Sequence, residues 1–230
     1  QRGAQLLYDP VQRAMVLLGR NPELPGATDV RVAIAADSFG LAPVQETPAP
    51  VPTGVAFAID PIRQEFYAAS ATQPSVIHVS SLATGATVAS IGGPLARLGE
   101  VRALTFDAER DDLVVATATE LLRFARAGLS PSGVTDVAPR LALRVALDAL
   151  AVSAGPDVRI YGWAAGPARL YRFELFDRRV LVQTSTYALP PATVGDGLSG
   201  CRLAYEDQLE RAILVCRRAG TGAMVLSASE

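Results

Sequence analysis

LLYDPVQRAMVLLGR, residues 6–20, contains an apolar run, an acidic turn at Asp9 and a second apolar run. LAYEDQLERAILVCRR, residues 203–218, repeats this pattern when Asp207 is placed on Asp9. Two apolar segments joined by such a turn predict a β-hairpin, because Asp accepts hydrogen bonds from backbone N–H groups two residues further on. The same hairpin is therefore predicted at two places far apart in the chain.

Further copies of the hairpin lie between these two. VAFAIDPIRQEFYAAS (55–70) and VRALTFDAERDDLVVAT (101–117) have the same order of strand, turn and strand, and ALAVSAGPDVRIYGWA (149–164) is a weaker copy. Intervals of 47 to 52 residues separate the turns, which are anchored at Asp9, Asp60, Asp107, Gly155 and Asp207. Repeats of about 40–50 residues made of short strands are typical of propeller blades. The sequence thus predicts an all-β fold, a β-propeller of about five blades, each an antiparallel four-stranded sheet.

The blades follow one another without a predicted domain boundary. We expect a single β-propeller domain over residues 1–230, with blades at roughly 1–52, 53–98, 99–147, 148–198 and 199–230. Additional strands are predicted at 29–37, 75–81, 87–93, 120–126, 140–147, 168–175, 178–185 and 223–229. Residues 41–54 carry four prolines, and this composition predicts an extended crossing between blades.

Two features leave alternatives open. Residues 140–152 fit helical spacing through Leu143, Leu147 and Leu150 as well as strand alternation, and the phase of the repeat favours a strand. The last blade has only three predicted strands, so closure of the ring is open. Because unpaired strand edges invite aggregation, an unclosed end would indicate that the chain is a segment of something larger.

Composition narrows the classes of partner. Hydrophobic residues make up 50% of the 230 residues and charged residues 19%, which is enough apolar material for a sizeable core. A net charge of −2 and a pI near 5.5 argue against binding to nucleic acid or to an anionic membrane surface. Since no window reaches the run of about 18 apolar residues that spans a bilayer, we expect no transmembrane segment.

Two stretches resemble bacterial propeller families. YDPVQRAMVLLG resembles kelch-like repeats, a likeness carried by Tyr8, Asp9, Arg13 and Gly19. SVIHVSSLATGATVASIGG (75–93) is similar to the repeats of YVTN-type surface propellers. The double glycine of kelch repeats and the YVTN tetrapeptide are both absent. The resemblance supports the propeller fold and implies little about activity.

Cys201 and Cys216 bracket the last predicted hairpin. If Leu203 faces Leu214, then the two cysteines are direct cross-strand neighbours, about 4.5 Å apart at Cα in a non-hydrogen-bonded pair. That separation is at the short end of the range for a disulfide. Two reduced thiols in an apolar interior are the alternative. A disulfide would favour an oxidising compartment and a periplasmic, cell-surface or secreted protein.

The aromatic residues and the lone histidine suggest few sites. Tyr161, Trp163 and Tyr171 form a group that could serve as a platform for a sugar, although packing between blades explains large aromatics more simply. His78 is the only histidine, and without a G-x-S-x-G elbow or further metal ligands we expect it to be structural or to face solvent.

The acidic residues are explained by turn formation. The runs at 107–112 and 205–210 do not match the spacing of calcium-binding loops. Asp60 and Asp107 could be imagined as the paired carboxylates of a glycosidase, but they recur at the same place in successive repeats. Recurrence favours a structural role, so we assign no catalytic, cofactor-binding or metal-binding residue and expect no cofactor.

These observations favour a non-enzymatic, exported β-propeller that serves as a protein-interaction or assembly subunit of a surface or envelope complex, with other protein subunits as its partners. A carbohydrate-binding, lectin-like propeller with a glycan ligand is the alternative. A metal-assisted hydrolase or lactonase is the third hypothesis, and it lacks the expected ligand spacing.

Overall fold

The sequence repeats fold into successive antiparallel sheets. The computed structural model describes residues 5–20, 29–35, 43–49, 54–70, 76–91, 99–126, 129–130, 133–134, 140–154, 157–176, 180–189, 198–218 and 222–229. The first sheet contains β1 (Gln5–Asp9), β2 (Ala14–Arg20), β3 (Asp29–Ala35) and β4 (Pro43–Ala49). The second contains β5 (Gly54–Asp60), β6 (Glu65–Ser70), β7 (Ile77–Ser81) and β8 (Thr87–Ile91).

The third sheet has an inserted hairpin before its last strand. It contains β9 (Val101–Asp107), β10 (Asp112–Thr117) and β11 (Glu120–Ala125), then the separate hairpin of β12 (Leu129–Ser130) and β13 (Gly133–Val134), and finally β14 (Arg140–Ala142). The fourth contains β15 (Ala149–Val152), β16 (Arg159–Ala164), β17 (Arg169–Phe176) and β18 (Val180–Ala188). The fifth contains β19 (Leu198–Glu206), β20 (Arg211–Arg218) and β21 (Gly222–Ser229).

The first strand of every sheet lies on the inside of the molecule. The strands β1, β5, β9, β15 and β19 all contribute residues to the wall of one central cavity. Along this wall β5 packs beside β9, β9 beside β15, and β15 beside β19. The sheets are therefore arranged around an axis, with later strands of each sheet further out.

Two of the predicted segments have a different structure. Residues 43–49 form β4, which pairs with β3, so the prediction of an extended crossing over 41–54 was wrong for this part. Because β4 is an edge strand, its prolines need not donate to a neighbouring strand on the outer side. The strand predicted at 140–147 ends at Ala142. Residues 143–152 contain no helix, and no helix among the described residues is long and apolar enough to cross a membrane.

Both faces of the second sheet are buried against its neighbours. Tyr67 and Phe66 are adjacent in β6 and point to opposite faces, yet their exposed fractions are 0% and 1%. Tyr67 stacks on Phe106 of the third sheet with 5.6 Å between ring centroids, whereas Phe66 packs with Val16 of the first sheet. The core thus consists of successive layers between neighbouring sheets rather than one central cluster.

Aspartate side chains form the hairpin turns, as the sequence predicted. The Oδ1 atom of Asp60 accepts hydrogen bonds from the N–H groups of Ile62 and Arg63 at 2.9 and 3.0 Å. Asp9 accepts the equivalent bonds from Val11 and Gln12. Both aspartates are buried, so the two N–H groups satisfy carboxylates that would otherwise be costly to bury.

The fifth hairpin is shifted by one residue from the predicted alignment. Glu206, not Asp207, accepts hydrogen bonds from the backbone N–H groups of the turn. Four residues later Glu210 has a φ of 47°, as Arg13 has a φ of 50° four residues after Asp9. Glu206 is therefore the structural equivalent of Asp9. Its carboxylate accepts from the N–H groups two and three residues further on, as that of Asp9 does.

The hairpin turns also connect neighbouring sheets at one end of the molecule. Arg63 lies between the carboxylates of Asp111 and Asp60, and hydrogen bonds to these two groups raise the pKa of its guanidinium. Among the links between sheets at these turns are Gln64 Nε2 to Asp9 Oδ2 at 2.8 Å, Arg63 Nη2 to Asp111 Oδ2 at 2.8 Å, and the Ala154 N–H to Asp207 Oδ1 at 2.9 Å. These donor–acceptor distances fall within the ordinary hydrogen-bond range of about 2.7–3.2 Å.

Gly162 allows the segment that precedes β15 to pack closely on the fourth sheet. A Cβ atom at this position would lie 2.6 Å from Leu147 Cδ1 and 3.2 Å from Phe173 Cε2. Since both neighbours are fully buried, we expect Gly162→Ala to lower the free energy of unfolding by about 1–3 kcal/mol. Urea denaturation measures the change. Gly166→Ala, in the turn between β16 and β17, is the control, because its Cβ meets nothing within 4 Å. Equal stability of the two variants would contradict the packing.

Candidate functional site

The central cavity is widest at the end where the hairpin turns lie. It has a volume of about 390 Å³ and opens between the inner strands. Its wall contains Leu7, Tyr8, Pro10, Phe57, Ile59, Pro61, Thr105, Phe106, Ala108, Val152, Tyr205 and Asp207, among others. Most of these side chains are apolar, and polar groups are few. We call this opening the axial mouth.

A ring of side chains closes the axial mouth at its inner end. Gln5, Leu104, Leu150 and Leu203 line both the axial mouth and a second cavity of only about 20 Å³ beyond it. The Gln5 amide accepts from the Phe57 N–H and donates to the Phe57 carbonyl, each at 3.2 Å. These two bonds fix the glutamine against β5, so the constriction has a defined shape.

Charged residues lie at the narrow end, beyond this ring. Arg102 donates to Asp148 Oδ1 at 2.8 Å, and Asp148 Oδ2 accepts from the Ala165 N–H at 2.9 Å. Burial lowers the pKa of Arg202, whose guanidinium donates to the Cys201 carbonyl at 3.0 Å. Among the described residues no carboxylate forms an ion pair with Arg202. The narrow end thus has a positive charge at Arg202 and an ion pair between Arg102 and Asp148.

Aromatic rings stand at the edge of the axial mouth. Tyr8 is 51% exposed, although its ring is large and mostly apolar. Tyr205 stacks on Tyr161 of the fourth sheet with 5.4 Å between ring centroids, and that contact holds its ring in place. Tyrosine offers an apolar face and a hydroxyl group together, which is the combination that binding surfaces commonly use.

The lining of the axial mouth has few ionisable side chains. Of its residues in the described part of the chain, Asp207 is the only carboxylate, and none is His, Cys, Ser or Lys. Asp207 accepts a hydrogen bond from the Ala154 N–H of the neighbouring sheet. Asp207 is therefore the one charged side chain among the described residues of the lining.

The predicted aromatic platform does not lie on the surface. Tyr161, Trp163 and Tyr171 are exposed by only 2%, 1% and 8%. Trp163 and Tyr161 face the fifth sheet, whereas Tyr171 faces the third and stacks near Phe173. Tyr171 pairs with Gly162, which lies between Tyr161 and Trp163 on β16, so its ring points to the opposite face of the sheet from theirs. They share no face on which a sugar could stack.

Cys201 and Cys216 form a disulfide in the structure, with an S–S distance of 2.10 Å. The register around it has Leu203 opposite Leu214, which is the pairing that the predicted disulfide required, and Tyr205 opposite Ala212. Both cysteines are buried and pack against Trp163 of the fourth sheet. The disulfide therefore lies at the interface of the fourth and fifth sheets.

His78 lies in β7, away from the axial mouth. Its Nδ1 atom is 3.1 Å from Ser90 Oγ, and burial lowers its pKa below the ordinary value of 6.5. Within the described residues no group of three or more His, Cys, Asp or Glu side chains is placed to bind a metal ion.

We expect His78 to make the protein less stable as the pH falls below about 6.5. The unfolded chain takes up a proton on this histidine at a higher pH than the folded protein does, so protonation favours unfolding. Its contribution is complete above the unfolded pKa and is lost below it. Melting temperatures from pH 7.5 to 5.5 should fall more steeply for the wild type than for His78→Gln. Parallel curves would contradict this.

Sequence reasoning missed the residues of the axial mouth and its constriction. Gln5, Leu104 and Leu203 belong to three different sheets, and each looks like an ordinary strand residue. Only the shared position of these three residues in the first strand of their repeats indicated that they line the axis. Superposing the repeats would have identified the inner strands and hence the axial lining.

Sheets of consecutive antiparallel strands, arranged around an axis with the first strand inside, define a β-propeller. The chain is similar to the β-propeller domain of Cps50 (Swd1) from Myceliophteria thermophila, with a TM-score of 0.54 and 10% sequence identity over 97% of this chain and 84% of that chain. At this identity the similarity concerns the fold, and the predicted fold is confirmed. No protein-family model and no curated protein sequence matches the chain. The kelch-like and YVTN-type resemblance stays a prediction.

Proposed function

We propose that the protein is a non-enzymatic propeller that binds other proteins through the axial mouth, as an interaction or assembly subunit. The observation that carries this proposal is the composition of the mouth, which has apolar walls, exposed Tyr8 at its edge and a single carboxylate. Concave sites with apolar walls and a few polar groups are the usual form of binding pockets. A partner side chain or loop that enters the mouth would be stopped at the constriction formed by Gln5 and Leu104.

We further propose that the protein is exported and works in a surface or envelope complex. The disulfide between Cys201 and Cys216 supports export, because disulfides persist mainly in oxidising compartments. Intact mass spectrometry of the natively isolated protein, alkylated with and without reductant, tests this. Two thiols that are already free before reduction would count against export.

Carbohydrate binding is not proposed, because the aromatic group that motivated it is buried. Tyr161, Trp163 and Tyr171 would have to leave the core before they could stack on a sugar ring. A hydrolase or lactonase is not proposed either. Neither hypothesis has an observation in its favour.

Partner binding at the axial mouth is tested by a matched pair of variants. Tyr8→Ala removes the exposed ring at the mouth, and Val88→Ala removes a side chain of the same 51% exposure on the outer strand β8. Interface tyrosines commonly carry much of the binding energy, so we expect Tyr8→Ala to weaken the native complex by about tenfold or more. The measurement is quantitative co-purification from native extract after cross-linking. A lone monomer, or equal partner recovery with both variants, would overturn the proposal.

A further inference from the structure

Two arginines line the small cavity at the narrow end of the axis. Arg102 lies on β9 and Arg202 on β19, and both belong to the wall of the cavity of about 20 Å³ beyond the constriction. We call this space the narrow-end cavity. Asp148 is the one carboxylate among the described residues of its wall. The two arginines therefore meet at one cavity although they belong to different sheets.

A β-bulge lies at Arg102. Along β9, Ala103 pairs with Ala116 and Val101 pairs with Thr117, so Arg102 is an extra residue without an equivalent on β10. Such an extra residue bends the strand, and bulges are frequent next to active sites, where they change the direction of a side chain. Arg102 thus reaches the cavity from an irregular position of its strand.

The inner strand of the fifth sheet has a bulge at the same end. Ser199 pairs with Arg217 and Arg202 pairs with Val215, so two residues of β19 face a single residue of β20. One of the two is Gly200, whose φ of 59° lies in the left-handed region that glycine adopts readily. Arg202 follows this bulge directly. Each arginine of the narrow-end cavity is therefore placed at or beside a bulge.

The two guanidinium groups differ in what compensates their charge. Arg102 donates to Asp148 Oδ1 at 2.8 Å, and Glu100 Oε2 lies 3.8 Å from its Nη1 atom. Arg202 donates to the Cys201 carbonyl, and in the described part of the chain it forms no ion pair. The Nε atoms of both arginines are buried and have no hydrogen-bond partner among the described residues. The cavity therefore has one charge without a partner and two unused donors beside it.

The charge of Arg202 is costly in this position. Its side chain is half-buried, and burial lowers the pKa of the guanidinium because the charged form loses hydration. An arginine nevertheless stays protonated in proteins, so it cannot remove the cost by losing its proton. A negative charge beside Arg202 would offset the cost, and binding of an anion would therefore stabilise the folded protein.

The volume of the narrow-end cavity limits the size of such an anion. A cavity needs about 10–15 Å³ to hold one water molecule. A volume of about 20 Å³ thus has room for a single small ion or for one oxygen of a carboxylate. The Arg102 side chain is 25% exposed, so solvent reaches the edge of the cavity.

We propose that the narrow-end cavity binds one small anion, either a chloride ion or the end of a carboxylate group, at the guanidinium group of Arg202. Arg102, which Asp148 holds in place, forms a neighbouring part of the wall. Guanidinium groups are well suited to this task because they offer several donors and are more weakly hydrated than an ammonium group. The cavity lies beyond the constriction from the axial mouth, so the inference goes beyond the proposed function.

Chlorine NMR of the whole protein tests the proposal. The protein is dialysed into sodium gluconate, whose anion is too large for the cavity, and the width of the chloride signal is recorded as sodium chloride is added. We expect the wild type to broaden the signal until the site is saturated. Arg202→Gln removes the charge that has no partner and should weaken binding by about tenfold or more. Arg202→Lys keeps a positive charge and should retain weaker binding.

Sodium acetate distinguishes the two kinds of anion. If acetate removes the broadening by chloride, or raises the melting temperature of the wild type but not of Arg202→Gln, then a carboxylate also occupies the site. Broadening that persists in acetate identifies the chloride ion as the ligand. Either result supports an anion site at Arg202.

Two control variants separate this site from general effects of salt. Arg140→Gln removes an exposed arginine of β14 that lines neither cavity, and it should broaden the chloride signal as the wild type does. Tyr8→Ala should also leave chloride binding unchanged, so failure at the axial mouth and failure at the narrow-end cavity give different results. Thermal melting in gluconate checks that each variant is folded.

Two results would overturn the proposal. The first is equal broadening of the chloride signal by the wild type and by folded Arg202→Gln. The second is no broadening by the wild type together with the same melting temperature in chloride, acetate and gluconate.

Discussion

Replacing Trp163 with alanine is expected to lower the free energy of unfolding by about 3–5 kcal/mol, the cost of truncating a large buried aromatic side chain. Trp163 is 1% exposed and lies between the fourth and fifth sheets, where it packs with Leu214 and Cys216. The cavity left behind cannot collapse easily, because strands fix both sides. For a protein of this size the change corresponds to a fall in melting temperature of about 10 °C.

Chemical denaturation of matched variants measures this effect. Phe176→Ala removes another large aromatic side chain from the same sheet, but Phe176 is 51% exposed. We expect this control to change stability by no more than about 0.5 kcal/mol, as exposed substitutions usually do. A similarly small change for Trp163→Ala would contradict tight packing between the last two sheets.

Removing the disulfide is expected to lower the free energy of unfolding by about 3 kcal/mol. Cys201 and Cys216 are 15 residues apart, and a loop of this length gives about that value in the chain-entropy model. Cys201→Ala with Cys216→Ala removes both thiols and leaves no buried free cysteine. Melting temperatures of the wild type in oxidising and reducing buffer, compared with this double variant, measure the contribution.

Reductant provides the internal control for the disulfide. The chain has two cysteines, so the double variant contains none and its melting temperature should not respond to reductant. The reduced wild type should approach the stability of the variant. If the oxidised and reduced wild type melted at the same temperature, then the disulfide would not contribute to stability.

The hairpins were predictable because their signal is local. An Asp turn between two apolar runs sets the register, and the period of two then determines which side chains face each other. In the fifth hairpin the assumed pairing of Leu203 with Leu214 was enough to place Cys201 beside Cys216.

The errors occurred where two local signals compete. Prolines in 43–49 indicate a crossing, but an edge strand tolerates them, and sequence alone does not show which strand is at an edge. At the fifth turn Glu206 and Asp207 are adjacent carboxylates, and either could be aligned with Asp9. Only the pairing of Glu206 with Arg211 decides between them.

The axial mouth was beyond local reasoning for a different reason. It takes one or a few residues from each of five sheets, so no short motif contains it. The mouth is a property of the arrangement of sheets, which a single strand does not encode.

The links between hairpin turns hold side chains of neighbouring sheets in place at one end of the molecule. Arg63 and Asp111 join the second and third sheets at the rim of the axial mouth, and Asp207 joins the fourth and fifth. A partner that binds at this rim meets groups that are already ordered, and therefore loses less conformational entropy on association. Weakening a link, for example by Asp111→Ala, would reduce affinity without removing any contact to the partner.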